Sequence, residues 1–504
     1  MASRSTRRCT SSCQRPSPPI CSTACRYRQS CRPASAMPAA HVVLPCSPAT
    51  PRFPDVRSLT MSPLQTLLAS HRAGANVGLY SVCCSNEQVL RAAMHVALAH
   101  GTVLLVEATS NQVDQFGGYT GMTPPQYRDY VGTLADEEGF PRERLILGGD
   151  HLGPNAWQKR PAAEAMTHAR VLIEAYVAAG FHKIHLDCSM SCADDPVPLP
   201  DAIVAARSAE LAGIAERTAT EHGLPPPVYV IGTEVPIPGG EASLAEGLQV
   251  TTPAAAAQTL AIHQQAFDTP QLRDAWQRVI AMVVQPGVDF DHSSVHEYDA
   301  AAAGTLADFL EQQPRIVFEA HSTDYQRESG LHALVRDHFA ILKVGPAATF
   351  AYREALFALA AIEAELLPAA QCSRLPQVLD EVMVAQPKYW QSYYQGDDAT
   401  LRLLRSYSFS DRCRYYWGEP ALVQAVQTLF ANLEQHAPPL VLLSQYLPEQ
   451  YRAVREGALA NTPTALVQHR IGLCLGEYAR ACSANQAGHR KQKESSATSV
   501  LANG

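Results

Sequence analysis

Eight short apolar runs alternate with helix-patterned stretches over residues 76–347, and this alternation constrains the fold more than any other feature of the chain. The runs are Asn76–Cys83, Thr102–Thr109, Leu145–Leu152, Lys183–Met190, Val228–Val235, Ala281–Val288, Arg315–Thr323 and Phe339–Ala347. Each is rich in β-branched residues and bounded by Gly, Pro or polar residues, the mark of a buried strand. Between them, Glu87–His100, Ala162–Ala179, Asp201–His222, Pro253–Phe267 and Ala301–Glu311 carry helical spacing. Parallel strands need a crossover of a dozen residues or more, so the alternation implies a parallel α/β sheet. Eight such units predict a (β/α)8 TIM barrel. A doubly wound open sheet would ordinarily show a Gly-rich phosphate turn after its first strand, and Ser81-Val82-Cys83-Cys84-Ser85-Asn86 is not one.

The runs end in chemistry. In order, their carboxyl ends carry Cys83, Glu107, Asp150 with His151, Asp187, Glu234, Gln285, Glu319 with His321, and Lys343. A packed core has no use for charge at strand ends, whereas a barrel enzyme builds its active site there. Carboxylates and imidazoles converging on one rim suit a divalent metal, which polarises a carbonyl while an Asp or Glu moves a proton. The glycines around Asp150-His151 leave room for close ligand approach, against the plainer reading of an N-cap and a satisfied core histidine. His292 lies in a loop beyond the sixth run, where a merely solvated histidine is nearly as good a reading. His182 and His185 are assigned structural roles. The loop from Asn111 to Thr123 reads as substrate-facing. Residues 231–241, Ser322-Thr323 and Lys343-Val344-Gly345-Pro346 look ready for phosphate. No Walker A motif or kinase-type Gly loop occurs, which speaks against ATP chemistry.

Outside the barrel the pattern changes. Residues 1–54 contain no Asp or Glu, but several arginines and six of the fourteen cysteines. Residues 1–60 are therefore expected to be a disordered leader, either transit-like or preceding a natural start at Met61. The barrel is assigned to residues 61–353, a helical extension packed on it to 354–482, and a disordered tail to 483–504. Tyr389, Trp390, Tyr393, Tyr394, Tyr407, Phe409, Tyr415, Tyr416 and Trp417 cluster in the extension. Packing on the barrel or on a neighbouring subunit is preferred for them over a sugar-stacking surface. The remaining cysteines are scattered, as suits reduced thiols in the cytoplasm. A net charge of -8 without a basic stripe argues against nucleic acid. No apolar run of about 18 residues predicts a membrane span.

Several long blocks resemble a known family. Glu107-Ala108-Thr109-Ser110-Asn111-Gln112-Val113, Gly149-Asp150-His151-Leu152-Gly153-Pro154-Asn155, Asp187-Cys188-Ser189-Met190-Ser191-Cys192, Glu319-Ala320-His321-Ser322-Thr323-Asp324-Tyr325-Gln326 and Arg414-Tyr415-Tyr416-Trp417 are similar to the Z-type subunit of bacterial D-tagatose-1,6-bisphosphate aldolase. The resemblance runs from about Met61 to about Arg480. It implies a non-catalytic subunit that stabilises a class II aldolase chain in galactitol or N-acetylgalactosamine breakdown. Some members are labelled tagatose-6-phosphate kinase, and related proteins are metal-dependent ketohexose 4-epimerases. The alternative function is thus an autonomous 4-epimerase acting by retro-aldol chemistry on a sugar or sugar phosphate.

A more distant resemblance to the class II aldolases implies roles. Asp150 and Glu241 would be catalytic, and His151, His292 and His321 would bind metal. Glu234 stands in where the usual histidine motif after the sixth strand is replaced. Asn111, Gln112, Asp187, Ser322 and Lys343 would hold substrate. The implied metal is zinc, with manganese or nickel as alternatives, and the implied assembly is an oligomer.

Overall fold

The computed structural model describes residues 61–233 and 248–483. Glu234, Glu241 and the Gly239-Gly240 loop lie outside the described residues, as do the expected leader and nearly all of the expected tail. Eight parallel strands close a barrel: β1 Leu79–Val82, β2 Leu104–Thr109, β3 Leu145–Leu152, β4 Lys183–Leu186, β5 Val228–Ile231, β6 Val279–Val283, β7 Val317–Ala320 and β8 Ile341–Val344. β8 pairs back onto β1, with Leu79 opposite Ile341 and Val82 opposite Val344. At least one helix follows each strand. The last of the eight, Pro346–Leu366, is uninterrupted, so the change of sequence character after Arg353 marks no break in structure.

Strand alternation sorts the barrel into an inside and an outside. Successive side chains point to opposite faces, so every second residue faces the axis. Leu79, Leu105, Ile146, Val228, Val230, Ala281, Val283, Val317 and Ile341 form the inner apolar layer. Leu64 and Leu68 of the helix Pro63–Arg72 join that layer. Burying one such side chain stabilises the fold by about 1.5–3 kcal/mol. Residues two further along the strands face the same way. They are Ser81, Glu107, Glu319 and Lys343, joined by Lys183, which opens β4 opposite Val228, and all are buried. The outward neighbours Tyr80, Val106, Ile184, Tyr229, Met282, Phe318 and Leu342 pack in the larger core between the sheet and the helices.

The strands are shorter than the apolar runs suggest. Residues 289–290 and 295–296, just past the sixth run, form a separate antiparallel ribbon, because Gly287 turns the chain at φ 88°. The extension continues with helices Leu375–Ala385, Asp398–Tyr407, Pro420–Gln435, Leu440–Tyr446, Pro448–Arg455 and Pro463–Ala481. The last of these returns to the barrel. There Tyr478 donates a hydrogen bond to the Thr323 carbonyl at 2.6 Å, and Arg480 pairs with Glu328 at 2.9 Å. Among the described residues no helix is long and apolar enough to cross a membrane, and all eight cysteines are free thiols.

Candidate functional site

Two adjacent strand residues normally point to opposite faces, yet Asp150 and His151 both reach the barrel interior. The backbone explains it. The β3–β4 register shifts between Gly149 and Leu152, and His151 takes the left-handed conformation at φ 48°. Such a conformation costs on the order of 1–3 kcal/mol in a non-Gly residue and collects at functional sites. Gly148 contributes space, since a Cβ there would meet the Glu107 carboxylate at 2.6 Å.

His185 of β4 and His321 after β7 complete a buried set with Asp150 and His151. One ligand atom from each of the four lies within 4.8 Å of the others. The three imidazole rings are 4.9–5.2 Å apart. Each ring is held by a carboxylate. His151 Nδ1 is 2.7 Å from Asp187 Oδ2, His185 Nδ1 is 2.9 Å from Asp150 Oδ1, and His321 Nε2 is 3.0 Å from Glu319 Oε1. Carboxylates behind imidazoles fix ring orientation in metal sites.

Below this set lies an ionic floor. Lys183 Nζ bridges Glu107 and Glu319 at 2.7 Å each. Lys343 Nζ lies 2.5 Å from Glu107, 2.7 Å from Asp150 and 3.3 Å from Glu319. Ser81 donates to Glu107 at 2.5 Å. Burial opposes charge on Lys343, but Asp150, Glu107 and Glu319 outweigh it and hold the amine well above its usual range. Burial likewise opposes ionisation of Asp150, and His151 and Lys343 override it, so its pKa stays well below the carboxylate range. Burial pushes His321 down to about 4.

The set fits a divalent cation on three grounds. The donors converge. The His185 Nε2 is buried without a hydrogen-bond partner, an atom that ordinarily finds one. Glu107, Asp150, Asp187 and Glu319 are four carboxylates, and Lys183 and Lys343 are two ammoniums, so two negative charges stay uncompensated while the imidazoles are neutral. Buried charge of that size calls for a counter-ion.

A cavity of about 200 Å³ opens above the set. The predicted residues Asn111, Gln112, Asp150, His151, Ser322 and Lys343 line it. Asp187 does not. It is buried against His151, and its second oxygen accepts from Ser189 Oγ at 2.6 Å, so it orients an imidazole rather than touching a ligand. The Lys343 ammonium is spent on three carboxylates, which leaves it poorly suited to steady a phosphate. His292 is not brought into the set. Its two ring nitrogens are 3.1 Å from Ser410 Oγ and 3.0 Å from the Tyr393 carbonyl, which ties it to the extension.

His185 takes its place, against the structural role expected for it. The signal was in the strand. Lys183, His185 and Asp187 alternate with Ile184 and Leu186, and polar alternation is anomalous where a parallel strand is buried on both faces. Sequence reasoning also missed Arg412 and Tyr393, which line the cavity from the extension together with Arg414 and Tyr415. The aromatic cluster divides accordingly. Trp390, Tyr394, Tyr416 and Trp417 are buried packing, while Tyr393 and Tyr415 face the cavity.

The family model described as D-tagatose-1,6-bisphosphate aldolase subunit GatZ/KbaZ-like matches residues 64–483. The chain belongs to this family. Among solved structures, a probable tagatose 6 phosphate kinase from Sinorhizobium meliloti 1021 is 46% identical. That match covers 80% of this chain and 100% of the other, with a TM-score of 0.75. The YdjI aldolase from Escherichia coli K12 is 10% identical, with 74% of this chain and 98% of that one covered and a TM-score of 0.36. A fructose-bisphosphate aldolase from Campylobacter jejuni is 12% identical, with 75% and 94% covered and a TM-score of 0.37.

Proposed function

We propose that this family member carries an active site of its own, which would hold a divalent metal and in which the barrel side chains cleave and re-form the C3–C4 bond of a ketose. The observation that supports this reading best is the buried Asp150, His151, His185 and His321 set facing an open cavity. Zinc suits a site of three imidazoles better than magnesium does. A bound cation supplies Lewis-acid polarisation of the ketose oxygens.

The chain's own residues do the rest. Asp150, kept ionised by the Lys343 ammonium at 2.7 Å, accepts the C4 hydroxyl proton as the C3–C4 bond breaks, and the bonding pair moves toward the C2 carbonyl. Re-addition to the other face of the aldehyde, with the proton returned from Asp150, inverts C4. Lys343 stays an ammonium among three carboxylates, so it balances charge and is no Schiff-base nucleophile. Asn111, Ser322 and Arg412 sit on the cavity wall where substrate hydroxyls would reach them.

The family match favours a second reading, assembly with a catalytic class II aldolase chain that splits tagatose 1,6-bisphosphate in galactitol or N-acetylgalactosamine breakdown. One experiment separates them. The full chain is purified alone, reconstituted with zinc, and given tagatose, fructose, tagatose 6-phosphate and tagatose 1,6-bisphosphate, with products followed by chromatography. Turnover that disappears with chelator and in Asp150→Asn is the expected result. Silence alone, with aldolase activity rising only when a class II chain is added, would leave assembly as the function.

A further inference from the structure

The helix Pro346–Leu366 begins at the end of β8, on the wall of the cavity. Barrels commonly seat a substrate phosphate near the ends of their last strands, on free backbone N–H groups at a helix N-terminus. This one has none to offer at its first turn. Pro346 has no N–H, and the Gly345 and Ala347 N–H groups donate to Asp324 Oδ1 at 3.0 and 2.8 Å. Asp324 is 3% exposed and lines the same cavity as Asp150, His151 and His321. The phosphate-ready reading of Lys343-Val344-Gly345-Pro346 fails here for a definite reason: the protein supplies its own anion.

We infer that Asp324 is a specificity determinant that stands where a substrate phosphate would dock, so the cavity takes a ketose with a free hydroxyl at its β8 end and excludes a bisphosphate. This rests on the ketose reading of the site. A phosphate at that end would meet a buried like charge and no vacant backbone donor. A sugar hydroxyl, by contrast, gains a carboxylate acceptor. Burial pushes the Asp324 carboxyl up to about 6 against the pull of its two N–H donors and of the Arg414 guanidinium, so it is charged at neutral pH. The extension side of the cavity differs in sign. There Arg412 lies over the Tyr393 ring at 3.0 Å, and its Nε is buried without a partner. Any single phosphate on the substrate belongs at that end.

The test is calorimetric binding to the zinc-loaded full chain. The probes are D-tagatose, D-tagatose 1,6-bisphosphate and inorganic phosphate. Asp324→Asn keeps an acceptor for both N–H groups and removes the charge, whereas Asp324→Ala frees both donors. We expect the unsubstituted chain to prefer D-tagatose over the bisphosphate by tenfold or more. Both variants should raise bisphosphate affinity at least tenfold without a matching gain for D-tagatose. Equal or tighter bisphosphate binding by the unsubstituted chain, or an unmoved ratio in folded Asp324→Asn, would overturn the inference. If neither sugar binds any form, the ketose reading fails, and inorganic phosphate still decides. A gain in Asp324→Ala supports the displaced-phosphate role, and no gain rejects it.

Discussion

On the barrel side, beneath the cavity, Glu107, Lys183, Glu319 and Lys343 lie with their charged atoms paired at 2.5–3.3 Å, on strands whose period fixes where each points. On the extension wall, Arg412 and Tyr393 come from the irregular chain between helices. Arg412 holds its place through the Tyr389 carbonyl at 2.9 Å and the Tyr393 ring. The first wall is charge matched against charge inside a closed sheet. The second is a cation resting on aromatic faces. The difference teaches a division of labour: the sheet holds its charged groups in a paired network, and the extension would supply a surface for recognition. Losses on the first wall should therefore appear in stability and metal content, and losses on the second in substrate affinity alone.

The largest break in that comparison should come from Lys183→Met. Glu107, Glu319 and Asp150 would be left to share the single Lys343 ammonium, and an uncompensated buried charge costs about 3–5 kcal/mol. Urea denaturation should show that drop. A loss below about 1 kcal/mol, the scale of an exposed ion pair, would mean that the floor is not a tight network. Next comes the metal. His151→Ala combined with His321→Ala removes two of the three imidazole donors, and zinc affinity should fall by at least about a thousandfold, or roughly 4 kcal/mol. Competition with a chromophoric chelator measures it, and circular dichroism should report an unchanged fold. His185→Ala alone should weaken zinc binding as well. If it does not, the set is wrongly composed.

Much of the barrel was legible because its signal is periodic. Eight apolar runs name eight strands, and Glu107, Asp150, Glu319 and Lys343 stand at their ends, where the closed sheet must bring them together. His151 was legible as a residue but not as a geometry, since the left-handed turn that aims it inward has no periodic mark. His185 was missed because its strand was read for hydrophobicity and not for its polar face. Arg412 and Tyr393 were missed for a deeper reason. Their position depends on how the extension folds back over the barrel, and no local pattern encodes that.

A third effect is smaller and depends on pH. Asp324 titrates near 3.8 in an unfolded chain and at about 6 when folded. Between those values the folded state keeps a proton that the unfolded state has lost. Folding stability contributed by Asp324 is therefore present below about pH 4 and lost as pH rises to about 6, with an upper bound of roughly 3 kcal/mol at 1.36 kcal/mol per pKa unit. Asp324→Asn should abolish this slope, so its stability relative to the unsubstituted chain should rise between pH 4.5 and 7. A difference that stays constant over that interval would place the carboxyl in a wetter setting than the cavity wall.

The smallest effect belongs to the extension and bears most directly on the division of labour. Arg412→Ala removes a cation whose anchors are one carbonyl and the faces of Tyr393 and Tyr415. A cation–π contact of this kind contributes roughly 0.5–2 kcal/mol. Zinc content should therefore not change, and neither should the rate at saturating substrate. KM should rise about tenfold, equivalent to about 1.4 kcal/mol, because an interaction made equally in the ground and transition states is lost uniformly. A fall in kcat with KM unchanged would move Arg412 from recognition to chemistry. The two walls would then no longer be separable, since a group held only by a carbonyl and two rings would be acting on the reacting atoms.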